Sequence, residues 1–251
     1  MMPEHMAERC HRRRVLHSLS NNIYENLALE NYLFEHLEPE EEVLFLWKNT
    51  DAVVIGRFQD PEIECNLQAM KQDGIPLARR QSGGGTVWHD LGNLCFTFMG
   101  PKASFDRRKN LILIQKALQS LGFPAELNDR HDILLQGKKI SGSAFREKAD
   151  KAFHHGTLLI NSQLDKLHYY LKPETEKPQS RHTRSVPSPV TRLADWQKDV
   201  EITAVETALR ALFSPEPAET ITPDRVQKEP DYCDYVQHLQ SRDWIYGPGP
   251  L

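Results

Sequence analysis

The segment Arg79-Arg80-Gln81-Ser82-Gly83-Gly84-Gly85-Thr86-Val87-Trp88-His89-Asp90 is the most informative stretch of this 251-residue chain. Three consecutive glycines have no Cβ, so a ligand can approach their backbone amides closely. Successive N–H groups in such a turn form an anion-binding nest, and Arg80 supplies fixed positive charge beside it. Taken alone, a glycine run fits a plain turn between two strands; the flanking arginine pair and the His89-Asp90 dipeptide argue for a site. The glycines are contiguous rather than spaced and no Gly-Lys-Ser/Thr follows, so the stretch is neither a dinucleotide fingerprint nor a P-loop.

Before it, residues 22–37 have helical apolar spacing (Ile23, Leu27, Phe34, Leu37), opened by Asn22 with Glu25 three residues on, a capping-box pattern. Residues 43–47 and 53–55 are strand-length apolar runs. Residues 66–73 read as a helix stopped by Gly74. After the glycines, residues 94–99 alternate as a strand and 110–121 form a helix closed by Gly122. Residues 132–135 and 139–145 flank Gln136-Gly137-Lys138 as a hairpin. A strand at 157–160 and helices at 164–171, 201–213 and 231–242 complete the pattern. The proline-rich stretch 172–192 is a long loop of the kind that is usually mobile or functional. Strands and helices mix without regular βαβ alternation, which predicts an α+β fold with a mixed, largely antiparallel sheet flanked by helices.

With 31 basic and 35 acidic side chains the formal charge is −4. That balance argues against a general nucleic-acid binder. No apolar run approaches the roughly 18 residues of a membrane span. The four cysteines (Cys10, Cys65, Cys95, Cys233) form no CxxC pair, which suits a reducing compartment without structural zinc. Arg9 and Arg12 to Arg14 make the start basic, but Glu4 and Glu8 interrupt it and no apolar segment follows, against a secretory signal.

Two further stretches hold chemistry. In Lys138-Lys139-Ile140-Ser141-Gly142-Ser143-Ala144, a lysine beside small residues can point into a cleft, neutralise phosphate or polarise a carbonyl; a hairpin lysine can equally be solvated. In Phe153-His154-His155-Gly156-Thr157-Leu158, adjacent histidines on a strand face opposite sides, which makes them poor joint metal ligands. Either can be a hydrogen-bonded structural residue.

Together these stretches resemble the lipoate–protein ligases and lipoyltransferases of the biotin/lipoate ligase superfamily. The resemblance runs in order over about residues 26–193. It includes Val43-Leu44-Phe45-Leu46-Trp47, Val53-Val54-Ile55-Gly56-Arg57, Glu64-Cys65-Asn66, the segment Ala78 to Gly85, His89-Asp90-Leu91-Gly92-Asn93, Lys139-Ile140-Ser141-Gly142-Ser143-Ala144 and His154-His155-Gly156-Thr157-Leu158-Leu159. It implies a class II biotin/lipoate ligase-like catalytic domain at 22–214, between an N-terminal arm (1–21) and a C-terminal extension (215–251). The implied reaction joins lipoate and ATP to lipoyl-AMP, then transfers lipoyl to a lysine of lipoyl domains of 2-oxoacid dehydrogenase E2 subunits or the glycine cleavage H protein. A mixed anhydride needs positioning and charge stabilisation more than a protein nucleophile. On this resemblance Lys139 is catalytic and contacts carbonyl and α-phosphate. Arg80, Gly85, Thr86, Val87 and Trp88 bind nucleotide, Ser82, Gly84 and His89 line the lipoate cleft, and Asp132 stands near Mg²⁺, a hard cation suited to oxygen. Neither nucleic acid nor membrane is an expected partner, and the expected location is cytoplasmic, or the mitochondrial matrix in a eukaryote.

The chain also departs from the pattern. The usual Arg-Asn-Asp reads Arg130-His131-Asp132, and Ser185-Val186-Pro187-Ser188-Pro189-Val190 lacks an arginine that could touch phosphate. Trp244-Ile245-Tyr246-Gly247 falls close to the end of the sequence, where longer members continue into an accessory domain. On that reading activation of free lipoate needs a separate accessory subunit or does not occur, and Trp244 and Tyr246 either form an interface or pack on the domain's own core. The competing functions are an octanoyltransferase, which would need a cysteine nucleophile between Cys95 and Cys233 where none occurs, and a non-adenylating lipoyl-domain binding protein, which an intact Lys139 and Arg80 disfavour.

Overall fold

The computed structural model of the protein describes residues 12–171 and 183–247. Its strands are β1 (Arg12–Ser18), β2 (Glu41–Trp47), β3 (Ala52–Ile55), β4 (Leu77–Arg79), β5 (Val87–His89), β6 (Asn93–Pro101), β7 (Ala125–Leu127), β8 (Ile133–Leu135), β9 (Lys138–Glu147), β10 (Lys151–Leu159) and β11 (Glu219–Ile221). The helices are α1 (Ile23–Glu35), α2 (Pro61–Glu64), α3 (Leu67–Asp73), α4 (Arg107–Ser120), α5 (Leu164–Tyr170), α6 (Ile202–Phe213), α7 (Pro223–Val226), α8 (Pro230–Gln240) and α9 (Arg242–Tyr246).

Among the described residues the larger sheet has the order β11-β1-β2-β6-β10-β9-β8-β7 and the smaller one β4-β3-β5. In the larger sheet β1 is parallel to both its neighbours and every other pairing is antiparallel. This is the α+β arrangement with a mixed, largely antiparallel sheet that the sequence predicts.

Both faces of the large sheet are covered, so period-two alternation sorts each central strand between two cores. Leu44, Leu46, Leu94, Phe96 and Phe98 pack toward α4 and α6, whereas Val43, Phe45, Trp47, Cys95 and Met99 pack toward α1 and α8. That double burial is why 43–47 reads as an unbroken apolar run. A third core lies between the small sheet and α3, α5 and α9. In the β8–β9 hairpin, Gln136 (φ 51°) and Gly137 (φ 73°) are both left-handed, the geometry of a tight two-residue turn.

Three local departures have plain causes. Residues 12–18, expected in an arm, form an inner strand of the sheet. Two of its arginines are paired by neighbours, Arg13 with Glu42 (2.8 Å) and Arg14 with Glu41 (2.9 Å) and Glu219 (3.0 Å), a pairing that no local pattern announces. The segment expected as an extension after 214 supplies β11 and α8, whose Ile221, Tyr232 and Leu239 enter the α1-side core. Helix α4 starts at Arg107 rather than 110, because the Asp106 carboxylate accepts from the amides of Arg108 and Lys109. Residues 172–182 of the expected long loop, and Cys10 with the basic start through residue 11, lie outside the described residues. No described helix is long and apolar enough to cross a membrane.

Candidate active site

Strand β4 ends at Arg79 with Arg80 directly after it, and the two side chains go to different tasks. The Arg79 guanidinium is saturated by backbone carbonyls: Gly56, Arg57 and Gln59 on one side, Trp244 and Ile245 on the other. Trp244 answers by donating its indole N–H to the Arg79 carbonyl (2.8 Å). Trp244 and Ile245 therefore pack on the domain's own core, while Tyr246 stays exposed. The question left open for that motif is settled for Trp244.

Arg80 is buried beneath the glycine loop. Its Nε donates to Ser82 Oγ (3.1 Å), and its terminal nitrogens donate to the carbonyls of Val54 (3.3 Å), Gly83 (2.8 Å) and Gly85 (2.7 Å). Burial lowers its pKa to about 10, with Glu30 opposing the shift, so the group stays charged. Gly84 has φ +94°, open to glycine and strained for other residues, and its carbonyl fills the place a Cβ on Gly56 would need. Arg80 thus holds the loop in shape with nearly all of its donors.

Lys139 stands across the cleft on β9. Its Nζ meets Asp132 Oδ1 at 2.6 Å, and Asn128 Nδ2 donates to the other carboxylate oxygen (3.2 Å). A Cβ on Gly142 would lie 2.9 Å from both Lys139 Cε and Nζ, so a side chain there would push the ammonium aside. His131 has φ 62°, a left-handed position in which Asn and His are enriched among non-glycine residues. Residues 183–191 run over the site. Lys139 N–H donates to the Pro189 carbonyl (2.8 Å), Ser185 N–H to the Glu64 carboxylate (3.1 and 3.2 Å), and Ser185 Oγ accepts from the Thr86 amide (2.9 Å) and Gln59 Nε2 (3.0 Å). A hydroxyl oxygen thereby sits at one amide of the glycine nest.

Behind the cleft runs a buried polar chain. Trp47 donates to Thr97 (3.2 Å), Thr97 to Glu30 (2.6 Å), and His155 bridges Glu30 (2.9 Å) and Ser82 (2.6 Å), which leads back to Arg80. The His155 ring is thus held between a carboxylate at Nδ1 and a hydroxyl at Nε2. Ser82, expected in the cleft wall, instead lies behind it at 2% exposure. Glu30, Asn49 and Gln59 were not singled out in the sequence, and Glu64 entered only within the motif Glu64-Cys65-Asn66; a charged side chain on the apolar stripe of α1 was the available signal for Glu30.

Two histidines are held neutral. His89 is pushed down to about 3 by burial, with Arg80 and His155 adding repulsion, and His154 also to about 3 by burial, then by His155, His131 and Arg107. Both rings protonate in the unfolded chain near pH 6.5, so unfolding takes up protons below that pH. Their contribution to stability is fully present above about pH 6.5 and is lost as pH falls toward about 3. Urea unfolding should therefore weaken from pH 7 to pH 4 by on the order of 3 kcal/mol per ring. His154→Phe should flatten that slope; a midpoint independent of pH would contradict it.

The residues enclose two adjoining cavities of about 360 and 470 Å³. The first runs from Lys139, Asp132 and Arg184 to an apolar end at Leu27, Trp47, Val54, His89 and Cys95. Its floor follows the cross-strand row Gly142–Thr157–Cys95–Trp47, three strand spacings or about 14 Å long. The second lies beyond Lys139 among Glu64, Leu159, His168, Leu171 and Val190. Thr86, Val87 and Lys139 border both. Arg80, Gly84, Gly85 and His89 line the first, and Trp88 touches only the second, its ring buried against Tyr170. Among the described residues no group of three or more His, Cys, Asp or Glu could hold a metal ion.

Residues 22–214 match the family described as Lipoyl protein ligase A/B catalytic domain. Over 247 residues the chain is 40% identical to lipoate-protein ligase A of Psychrobacter cryohalolentis, covering 94% of this chain and 73% of that protein. Its fold is similar to that of P. falciparum LipL1 in complex with lipoate (TM-score 0.84, 33% identity, 96% of this chain and 75% of that one). It is also similar to a lipoate-protein ligase A bound with ATP (TM-score 0.77, 27% identity, 94% and 99%).

Proposed function

The chain belongs to the lipoyl protein ligase A/B catalytic-domain family, and from that membership we propose that it joins lipoate to a lysine of an acceptor lipoyl domain through lipoyl-AMP. The observation that carries this reading is Lys139, paired to Asp132 at the junction of an apolar cavity and a second, wider one. An acyl tail lying along the row from Gly142 to Trp47 leaves its carboxylate at Lys139, and a nucleotide in the second cavity brings its α-phosphate to the same ammonium.

In the first step a carboxylate oxygen attacks the α-phosphorus, the bond to the β-phosphate oxygen breaks, and pyrophosphate leaves. Lys139 neutralises charge on both reacting groups, and Asp132 orients it. In the second, the acceptor amine attacks the acyl carbonyl, AMP departs and the nitrogen gives up a proton. Lys139 then stabilises the carbonyl oxygen and the departing phosphate. Mg²⁺ suits this site as an ion held mainly by substrate phosphates with Asp132 as its one protein carboxylate, a mode hard divalent cations favour. The acceptors expected are the E2 and H-protein lipoyl domains.

A thioester route is disfavoured. Of the described cysteines only Cys95 borders the cavity, two strands away from Gly142, and burial raises its pKa well above the usual range, so it stays a thiol. The deciding experiment mixes purified protein with lipoate, ATP, Mg²⁺ and a lipoyl domain. A second arm supplies preformed lipoyl-AMP in place of lipoate and ATP. A lipoyl mass increase on the domain is expected, with AMP release in the first arm where no accessory subunit is needed; no acylation in either arm would refute the ligase reading.

A further inference from the structure

The apolar end of the first cavity holds one polar group that the chemistry at Lys139 does not use. His89 is 3% exposed, borders the cavity and stands edge-on to Trp47 with ring centroids 5.8 Å apart. Its tautomer follows from a chain of amides that begins on α1. Asn26 Nδ2 lies 3.0 Å from the Ser20 carbonyl and 2.9 Å from that of Lys48, while Asn26 Oδ1 accepts from the Ser18 hydroxyl. Carbonyl oxygens only accept, so the atom facing them is the amide nitrogen. The same nitrogen donates to Asn49 Oδ1 at 2.8 Å. Asn49 is thereby turned so that its own Nδ2 faces His89, 2.8 Å from Nδ1.

A donor opposite Nδ1 requires a lone pair there, and a neutral ring then carries its proton on Nε2. The partner Nε2 has within the fold is the Cys95 sulfur at 3.9 Å, a weak acceptor at long range. Two buried residues, Asn26 of α1 and Asn49 after β2, thus set His89 of β5 to present an N–H donor to an otherwise apolar cavity end, with no strong acceptor supplied.

We infer that His89 is the residue by which this cavity favours an acyl tail ending in a sulfur ring over a plain hydrocarbon tail of the same length, donating Nε2–H to a ring sulfur. The inference rests on the ligase reading above and specifies how that site chooses its acid. A hydrocarbon tail leaves the donor unpaired where water is excluded, whereas a polarisable sulfur accepts weakly and packs against Trp47. The neighbouring Cys95 does not open the ring disulfide by exchange, because that attack needs a thiolate and burial keeps this sulfur protonated.

The test compares kcat/KM for lipoate and for octanoate, with a lipoyl domain as acceptor, in the unaltered protein and in His89→Phe. The variant keeps a flat ring and removes the donor. The lipoate-to-octanoate ratio of kcat/KM should fall about five- to tenfold, because lipoate loses its donor while octanoate no longer leaves one unpaired. An unmoved lipoate-to-octanoate ratio overturns the role of His89. Unaltered protein that acylates the domain with neither acid, supplied free with ATP or as the preformed adenylate, would instead refute the ligase reading. A second measurement needs no variant: ¹⁵N NMR of the unaltered protein should show His89 with Nε2 protonated and Nδ1 bare. The Nε2–H proton should shift on saturation with lipoate and not with octanoate. A protonated Nδ1, or equal shifts with both acids, overturns the inference even if His89→Phe does not fold.

Discussion

Lys139→Ala is expected to slow both formation of lipoyl-AMP and transfer from preformed lipoyl-AMP by about 10²–10³. The same ammonium faces the phosphate in one step and the acyl oxygen in the other, so neither half-reaction is spared. The fold should survive. The lysine side chain is 26% exposed, and Asp132, deprived of it, keeps the Asn128 amide. The stability cost should stay near about 2 kcal/mol, below that of breaking a fully buried pair. Separate assays of AMP release and of domain acylation, beside a urea titration, check this. Either half-reaction running within tenfold of the unaltered rate would remove Lys139 from that step. Asp132→Asn, which retains a hydrogen-bond acceptor for Nζ, should cost less than loss of the lysine itself.

Arg80→Ala should be the most damaging single change, for a reason different from the one its sequence context suggests. Beside three glycines, Arg80 reads as a nucleotide ligand, and its loss would then raise the KM for ATP while sparing transfer. The structure commits the guanidinium to Ser82 and to the carbonyls of Val54, Gly83 and Gly85. Removing it leaves buried acceptors unpaired and Glu30 without its nearby positive charge, a loss of about 3–5 kcal/mol. Both half-reactions should fail together as the loop loses its form. Arg80→Lys should not rescue, because one ammonium cannot span four acceptors that a planar fork reaches. A stable Arg80→Ala protein impaired only in ATP binding would restore the ligand role.

Much of the fold was legible because its causes are local. Helix α1 has apolar spacing and an Asn cap, α3 ends at Gly74 in the left-handed conformation, and the β8–β9 turn uses the residues such turns demand. The capping box at α1 shows where that legibility stops. Asn22 does cap the helix, but Glu25 bonds Ser20 rather than closing back on the Asn22 amide, which itself donates to Ser20 Oγ. Strand β1 was missed because Arg12-Arg13-Arg14 looks solvated until Glu41, Glu42 and Glu219 are brought beside it from distant parts of the chain.

The site divides in the same way. Residue types and their order were enough to mark the glycine loop with its His89-Asp90 dipeptide and Lys139, and Asp132 came with the family resemblance that the ordered motifs carry, because chemistry restricts which side chains can serve at short range. Tertiary structure alone decided what each of them contacts. It placed Ser82 behind the wall and not in it, used Arg80 as a scaffold, joined Lys139 to Asp132 across the β8–β9 hairpin, and recruited Glu30, Asn26 and Asn49 to orient the two cavity histidines. The reason is that a buried donor or acceptor must find its partner inside the fold. Which partner it finds depends on contacts between residues far apart in sequence, such as the 125 positions separating Glu30 from His155.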